Sequence, residues 1–361
     1  MKNKIFEITA MVVMIVMLIS NLVMLLGMKK DLNDAKNDRT VAANQELSGY
    51  VDNDVSGDSI EDVINHSKEN DVSTNEDNDK ESDKADKDEI TFTREELLSY
   101  FKKDGEGTIG LLRDKFPEYI VYIDDEYKFV KVIDSIAKND WKPKNLKVDE
   151  DGEITYEEAG KVVSHKGIDV SKYQGEIDWN KVKADGVEYA MIRIGYRGYG
   201  TGKIVTDEQA ITNIKNATKA GIKVGVYFFS QAINEKEAKE EAEYIVDIIK
   251  DYKIEYPIVF DMEEIAGDIS RTDNLTKKEK TDIAIAFCER VKEAEYTPMI
   301  YANIKWFASH FDLERIEGYD KWFAYYDDTL YFPYKIKMWQ YTDSGKVDGI
   351  AGNVDLNIYV E

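Results

Sequence analysis

Lys223-Val224-Gly225-Val226-Tyr227-Phe228-Phe229, an amphipathic stretch over 235–250, and Tyr256-Pro257-Ile258-Val259-Phe260-Asp261-Met262-Glu263 read as strand, helix, strand. Both apolar runs have strand length and β-branched or aromatic content, and the stretch between them carries a helical apolar stripe. The pattern extends in both directions. Strands are expected at 167–170, 189–195, 223–229, 257–263, 298–303, 321–326, 335–341 and 353–356, with helices at 206–220, 235–250 and 276–294. Alternation of this kind predicts a parallel sheet, and eight strands within 161–361 predict an irregular TIM-like β/α barrel whose last strands are helix-poor. Chemistry in such barrels gathers at the C-terminal ends of the strands.

The rest of the chain reads differently. Residues 8–28 are uncharged and rich in Ile, Leu, Val and Met, and about 20 such residues span a bilayer. The run leaves through Leu25-Leu26-Gly27-Met28-Lys29-Lys30 without a small-x-small exit, so 1–30 is expected to be a cytoplasmic tip and a retained transmembrane anchor. Lys2 and Lys4 place the N-terminus inside and the bulk of the chain outside.

Residues 31–90 lack proline, have Tyr50 as their one aromatic, and hold 19 Asp and Glu against 6 Lys and Arg, a net of −13. Such a segment buries too little apolar area to offset its ordering entropy and is expected to be a disordered acidic tether. The formal net charge of −24 argues against a nucleic-acid binder, and more than half of it lies in this one segment. Residues 91–160 are expected to form a small α+β module. Thr93-Arg94-Glu95-Glu96 is a capping box, and the runs 118–123 and 127–132 flank Asp124-Asp125-Glu126 as a hairpin.

The single cysteine, Cys288, excludes an internal disulfide framework and falls on an apolar helical stripe, as a core thiol would. His66, His165 and His310 do not have metal-ligand spacing, so no metal is expected; no organic cofactor is expected either.

Asp261 and Glu263 lie two residues apart on a strand, so they point the same way with backbones roughly 6.6 Å apart. Carboxyls held that close cannot both ionise freely, which is the situation a glycosidase exploits: one group donates a proton while another charge supports the transition state. Asp169, in Gly167-Ile168-Asp169-Val170-Ser171, and Asp355, in Asn353-Val354-Asp355-Leu356-Asn357, sit on the first and last strands, which are neighbours in a closed barrel. Aromatics stand in or near the strand ends: Tyr196, Tyr227, Tyr301, Trp322, Tyr326, Trp339 and Tyr341. Flat rings suit pyranose faces, and Tyr hydroxyls and Gln340 suit sugar hydroxyl or acetamido groups. Some of the rings, such as Trp339, are expected to fill the barrel instead.

Together with Trp322-Phe323-Ala324-Tyr325 and Met338-Trp339-Gln340-Tyr341-Thr342, these motifs resemble glycoside hydrolase family 25, the Chalaropsis-type lysozymes or N-acetylmuramidases, over about 165–361. The resemblance implies an irregular β/α barrel and cleavage of the β-1,4 bond from N-acetylmuramic acid to N-acetylglucosamine in peptidoglycan. It implies Glu263 as general acid and Asp261 as its partner, acting on the substrate's 2-acetamido group or stabilising charge. It further implies Asp169 and Asp355 as substrate-binding acids that tune the pair. Phe228 departs from the pattern, since many relatives carry histidine after the tyrosine. Hydrolysis of chitin, or wall binding without catalysis, are the other functions this sequence accommodates. Nothing in it names a protein partner.

Overall fold

The structure, a computed structural model, describes residues 107–361. The expected anchor, the acidic tether and the capping box at Thr93 lie outside the described residues. Among those described, no helix is long and apolar enough to cross a membrane.

Helix α1 (Gly107–Lys115) leads into the hairpin β1 (Tyr119–Asp124) and β2 (Glu126–Lys131), then a small sheet of β3 (Leu146–Val148), β4 (Ile154–Glu158) and β5 (Lys161–Val162). The hairpin turns at Asp125, whose φ of 59° lies in the left-handed region that Asp tolerates better than most residues. Its two faces have different partners. Val121 and Phe129 pack on Ile109, Leu112 and Phe116, whereas Ile120 and Tyr122 join the apolar core of the larger body that follows. Trp141, Ile154 and Tyr156 belong to that same core. Residues 107–160 are thus packed continuously onto the barrel. Tyr331 Oη accepts from Val121 N at 3.0 Å, and Tyr334 Oη accepts from Ile133 N at 2.8 Å.

The barrel elements are β6 (Ser164–Val170), α2 (Trp179–Ala184), β7 (Tyr189–Arg197), β8 (Ile204–Thr206), α3 (Ala210–Lys219), β9 (Lys223–Phe229), α4 (Glu235–Ile249), β10 (Ile258–Asp261), α5 (Lys277–Glu293), β11 (Pro298–Asn303), β12 (Asp320–Ala324), β13 (Met338–Gly345) and β14 (Val354–Val360). Neighbours run β6-β14-β13-β12-β11-β10-β9-β7, and β6 pairs with β7, which closes a barrel of eight strands. The short β8 extends β7 as a hairpin outside the ring.

Helix starts follow local chemistry. Asn234 accepts from Glu237 N ahead of α4, and Thr276 with Glu279 forms a capping box ahead of α5. After β11 a π-helical turn (Trp306–His310) stands where a full helix would otherwise be, and no helix joins β12 to β13 or β13 to β14.

One expectation is corrected. The sheet is not parallel throughout, because β14 runs antiparallel to both β13 and β6. The link 346–353 is too short for the crossover that a parallel strand requires, so the chain turns back on itself.

Side chains alternate between two apolar layers. Tyr189, Met191, Val259, Met299 and Met338 fill the lower barrel interior, while Ile258, Phe260, Ile300, Phe323 and Cys288 pack between strands and helices. The floor is sealed by the stacked rings of Tyr189 and Tyr256, 4.4 Å apart. Gly167 makes this possible, since a Cβ there would lie 2.1 Å from the Tyr189 ring.

Candidate active site

Strand parity places the chemistry. Val259 faces into the barrel, and so does Asp261 two residues on; Glu263 follows just past the strand end, and both acids line a cavity of about 250 Å³ at the mouth. Ser230 N donates to Asp261 O at 2.6 Å, and Gln231 Nε2 donates to Glu263 O at 3.2 Å. Gln231 is itself held by the Thr272 hydroxyl at 3.1 Å. The backbone carrying both carboxyls is therefore pinned from the end of β9.

Asp169, Tyr227, Tyr301, Trp322, Gln340 and Asp355 line the same cavity, with Arg193, Phe229 and Tyr326. Asp355 lies opposite Asp169 in the β14–β6 register. Its strand is reversed, so it reaches the mouth from the beginning of β14, not from a strand's C-terminal end as the parallel barrel expected.

Two expected residues fall elsewhere. Tyr341 turns outward with Trp339, is hydrogen-bonded to the backbone of Ile154 and borders a separate groove of about 700 Å³. Gln340 between them faces inward, so period-two alternation separates these three neighbours. Tyr196 stands beside the cavity, with the Arg193 guanidinium 5.7 Å from its ring centre. Phe228, the departure from the family pattern, is buried in the outer layer, so it does not form the cavity wall.

A polar network fixes the groups. Gln340 Nε2 and Asn357 Nδ2 both donate to Asp169 Oδ2 at 2.8 Å. Tyr301 Oη donates to Gln340 Oε1 at 2.9 Å, Tyr326 Oη reaches the same oxygen at 3.2 Å, and Trp322 Nε1 donates to Asn357 Oδ1 at 2.8 Å. Both amides are thereby oriented with their nitrogens toward Asp169; burial raises that carboxyl above the ordinary carboxylate range, and the two amide hydrogen bonds oppose the rise.

The four acids form two hydrogen-bonded pairs, Asp169 with Asp355 and Asp261 with Glu263. Burial pushes the Asp355 carboxyl up to about 8, helped by the charge of Asp169. Burial also raises Glu263 and Asp261, and the neighbouring Glu263 charge raises Asp261 further. A hydrogen bond between two carboxyls needs one proton, so the Asp261–Glu263 pair holds a shared proton in the pH range where an exposed pair would be fully ionised. Such a pair can supply a proton to a leaving oxygen and retain one negative charge beside the reacting carbon.

Sequence reasoning passed over Arg193 and Asn357. Arg193 shares inward parity with Tyr189 and Met191, and Asn357 shares it with Asp355, so alternation alone marks both.

The sequence model of glycosyl hydrolases family 25 matches residues 168–350, a span that holds Asp169, Asp261, Glu263 and Gln340. The chain belongs to glycosyl hydrolases family 25. As a member it is a glycoside hydrolase, and the matched span covers most of the barrel and the Asp261–Glu263 pair.

Relatives include the autolytic lysozyme of Clostridium acetobutylicum, 26% identical over 203 residues, covering 54% of this chain and 56% of that protein. Lysozyme M1 of Streptomyces globisporus is 26% identical over 204 residues, covering 53% and 66%. The modular autolysin LytC of Streptococcus pneumoniae superimposes with a TM-score of 0.50 at 25% identity, over 66% of this chain and 57% of that one. The chain thus spans little more than half the length of the autolytic lysozyme and of the autolysin.

Proposed function

We propose that this family 25 hydrolase cleaves the β-1,4 bond between N-acetylmuramic acid and N-acetylglucosamine in peptidoglycan. Glu263 is the general acid that protonates the leaving sugar's oxygen. Asp261, ionised once Glu263 carries the shared proton, assists at the substrate's 2-acetamido group. Asp169 and Asp355 frame the bound sugar, and Tyr227, Tyr301, Trp322 and Gln340 line its subsite. The observation that carries this reading is the buried, hydrogen-bonded Asp261–Glu263 pair in a cavity walled by rings and an oriented amide. A non-catalytic lectin has no use for such a pair, because burying two coupled acids costs stability without improving sugar binding. The proposal includes a location. Residues 8–28 hold the chain in a membrane and the acidic segment 31–90 carries the barrel outward to the wall.

The test is to incubate the full chain in mild detergent with purified peptidoglycan, beside Glu263→Gln, and to identify borohydride-reduced ends by mass spectrometry. Reduced muramic acid ends from the native chain, lost in the variant, are expected. Reduced glucosamine ends, or no new ends despite wall binding, would overturn the proposal.

A further inference from the structure

The buried ion pair of Arg197 and Glu241 takes no part in the proposed chemistry, yet two hydrogen bonds connect it to Asp261. Arg197 ends β7 and Glu241 lies on α4; both side chains are buried, and Arg197 Nε donates to Glu241 Oε1 at 2.6 Å. The guanidinium is anchored twice more, since Nη1 donates to Gly202 O at 2.8 Å and Nη2 to Glu237 O at 3.0 Å. The other carboxylate oxygen of Glu241, Oε2, accepts from Ser230 Oγ at 2.6 Å. Ser230 is the first residue after β9 and is itself buried, and its Oγ also accepts from Ala232 N at 3.2 Å.

The backbone of Ser230 faces the site. Its N–H donates to Asp261 O at 2.6 Å, and the next residue, Gln231, donates from its amide to Glu263 O at 3.2 Å. Two consecutive residues thus hold the backbones of both carboxyls, and Glu241 holds the first of the two. Stability gives little reason for building this from charges. Burial pushes the Glu241 carboxyl up to about 7, against the hydrogen bonds from Ser230 and Arg197 that hold it down. A buried ion pair is often no more stabilising than apolar side chains of similar volume. What charge-assisted hydrogen bonds add is direction. Direction matters here, because a displacement of reacting groups by about 1 Å can cost about 10²-fold in rate.

We infer that Glu241 is a positioning residue, which holds Ser230 so that the end of β9 fixes Asp261 and Glu263 in one geometry toward the substrate. The inference rests on the proposed roles of those two carboxyls and deepens them, from which groups react to what keeps them in place. Arg197 fixes Glu241 in turn, so the line of support runs from β7 through α4 to the ends of β9 and β10.

The experiment is steady-state kinetics of the full chain in mild detergent on a soluble tetrasaccharide of alternating N-acetylglucosamine and N-acetylmuramic acid. Ser230→Ala removes the hydroxyl that Glu241 holds and keeps the backbone N–H to Asp261. Arg197→Met with Glu241→Leu replaces the ion pair by apolar side chains of similar volume. Each is expected to lower kcat, per folded molecule, by about ten-fold or more with KM little changed. Combining all three substitutions should cost no more than the larger single loss, since both changes cut the same link. An unchanged kcat in Ser230→Ala would overturn the inference. So would a loss that lies in KM, or losses that multiply when combined. Should the paired substitution fail to fold, Ser230→Ala decides alone. A native chain that releases no reduced muramic acid ends would overturn the proposed function and this role with it, whereas native activity with Ser230→Ala at the native kcat would overturn the role of Glu241 alone.

Discussion

Asp355 faces Asp169 directly across the antiparallel seam between β14 and β6, two carboxyls in register at the mouth of the barrel. The donors are unequally shared. Asp169 receives both the Gln340 and the Asn357 amides, which oppose the rise that burial causes in its carboxyl, whereas burial pushes the Asp355 carboxyl up to about 8.

That asymmetry gives a stability signature. Asp355 titrates at about 8 in the folded chain against about 3.9 when unfolded. Between those values the folded chain holds a proton that the unfolded chain has released, so this group's contribution falls as pH rises. Asp355→Asn should therefore gain stability relative to the native chain on going from pH 5 to pH 8, by about 1 kcal/mol or more. Melting temperatures of both proteins at the two pH values check it; a constant difference would contradict the assignment.

The Asp261–Glu263 pair has a kinetic counterpart. Glu263 is raised by burial, so the alkaline limb of kcat/KM should lie above the ordinary carboxylate range. Asp261 and Glu263 titrate as a pair, so replacing Asp261 by Asn removes one of its two titrating groups. The pH–rate profile should change shape, with kcat reduced by about 10²-fold or more. A pH–rate profile of Asp261→Asn that coincides in shape with the native one would show that the two carboxyls do not titrate together.

Stereochemistry offers an independent check. An inverting enzyme needs its carboxyls roughly 6.5–9.5 Å apart to admit a water molecule, whereas Asp261 and Glu263 are hydrogen-bonded to each other. The product should keep the β configuration at the new reducing end, as acetamido-assisted or covalent attack requires. Proton NMR of the first product formed reads it, and an initial α-anomer would rule out both routes.

The packing of residues 107–160 predicts a long-range effect on stability. Trp141 is nearly buried, its ring 5.5 Å from Tyr156, in the same core as the barrel strands. Trp141→Ala should cost about 3 kcal/mol and lower a single transition that includes the barrel. Loss of a small, separate transition, with the barrel's melting unchanged, would mean the two parts are energetically independent.

Much of this was open to reading beforehand, because apolar strands with period-two alternation leave little freedom. Val259, Asp261 and Glu263 share a face whatever the rest of the chain does. The same rule would have recovered Arg193 from Tyr189 and Met191, and would have turned Tyr341 away from the cavity once Gln340 was placed in it. The reversal of β14 is another matter of length: composition carries no strand direction, yet the short link 346–353 does. The shared core of Trp141 and Tyr156 with the barrel was not legible. It depends on which surfaces meet in three dimensions, and neither local pattern nor spacing records that.

The reversed last strand also sets the order in which the site can be assembled. All of β14, the 7-residue strand that supplies Asp355 and Asn357 and zips β13 to β6, follows every other barrel strand in chain order. Until it docks the barrel is an open sheet, Asp169 lacks one of its two amide donors, and the acid quartet is a trio. Maturation of the catalytic mouth is therefore coupled to the docking of this one strand: a chain with β14 undocked carries Glu263 and Asp261 yet has no closed barrel in which to use them.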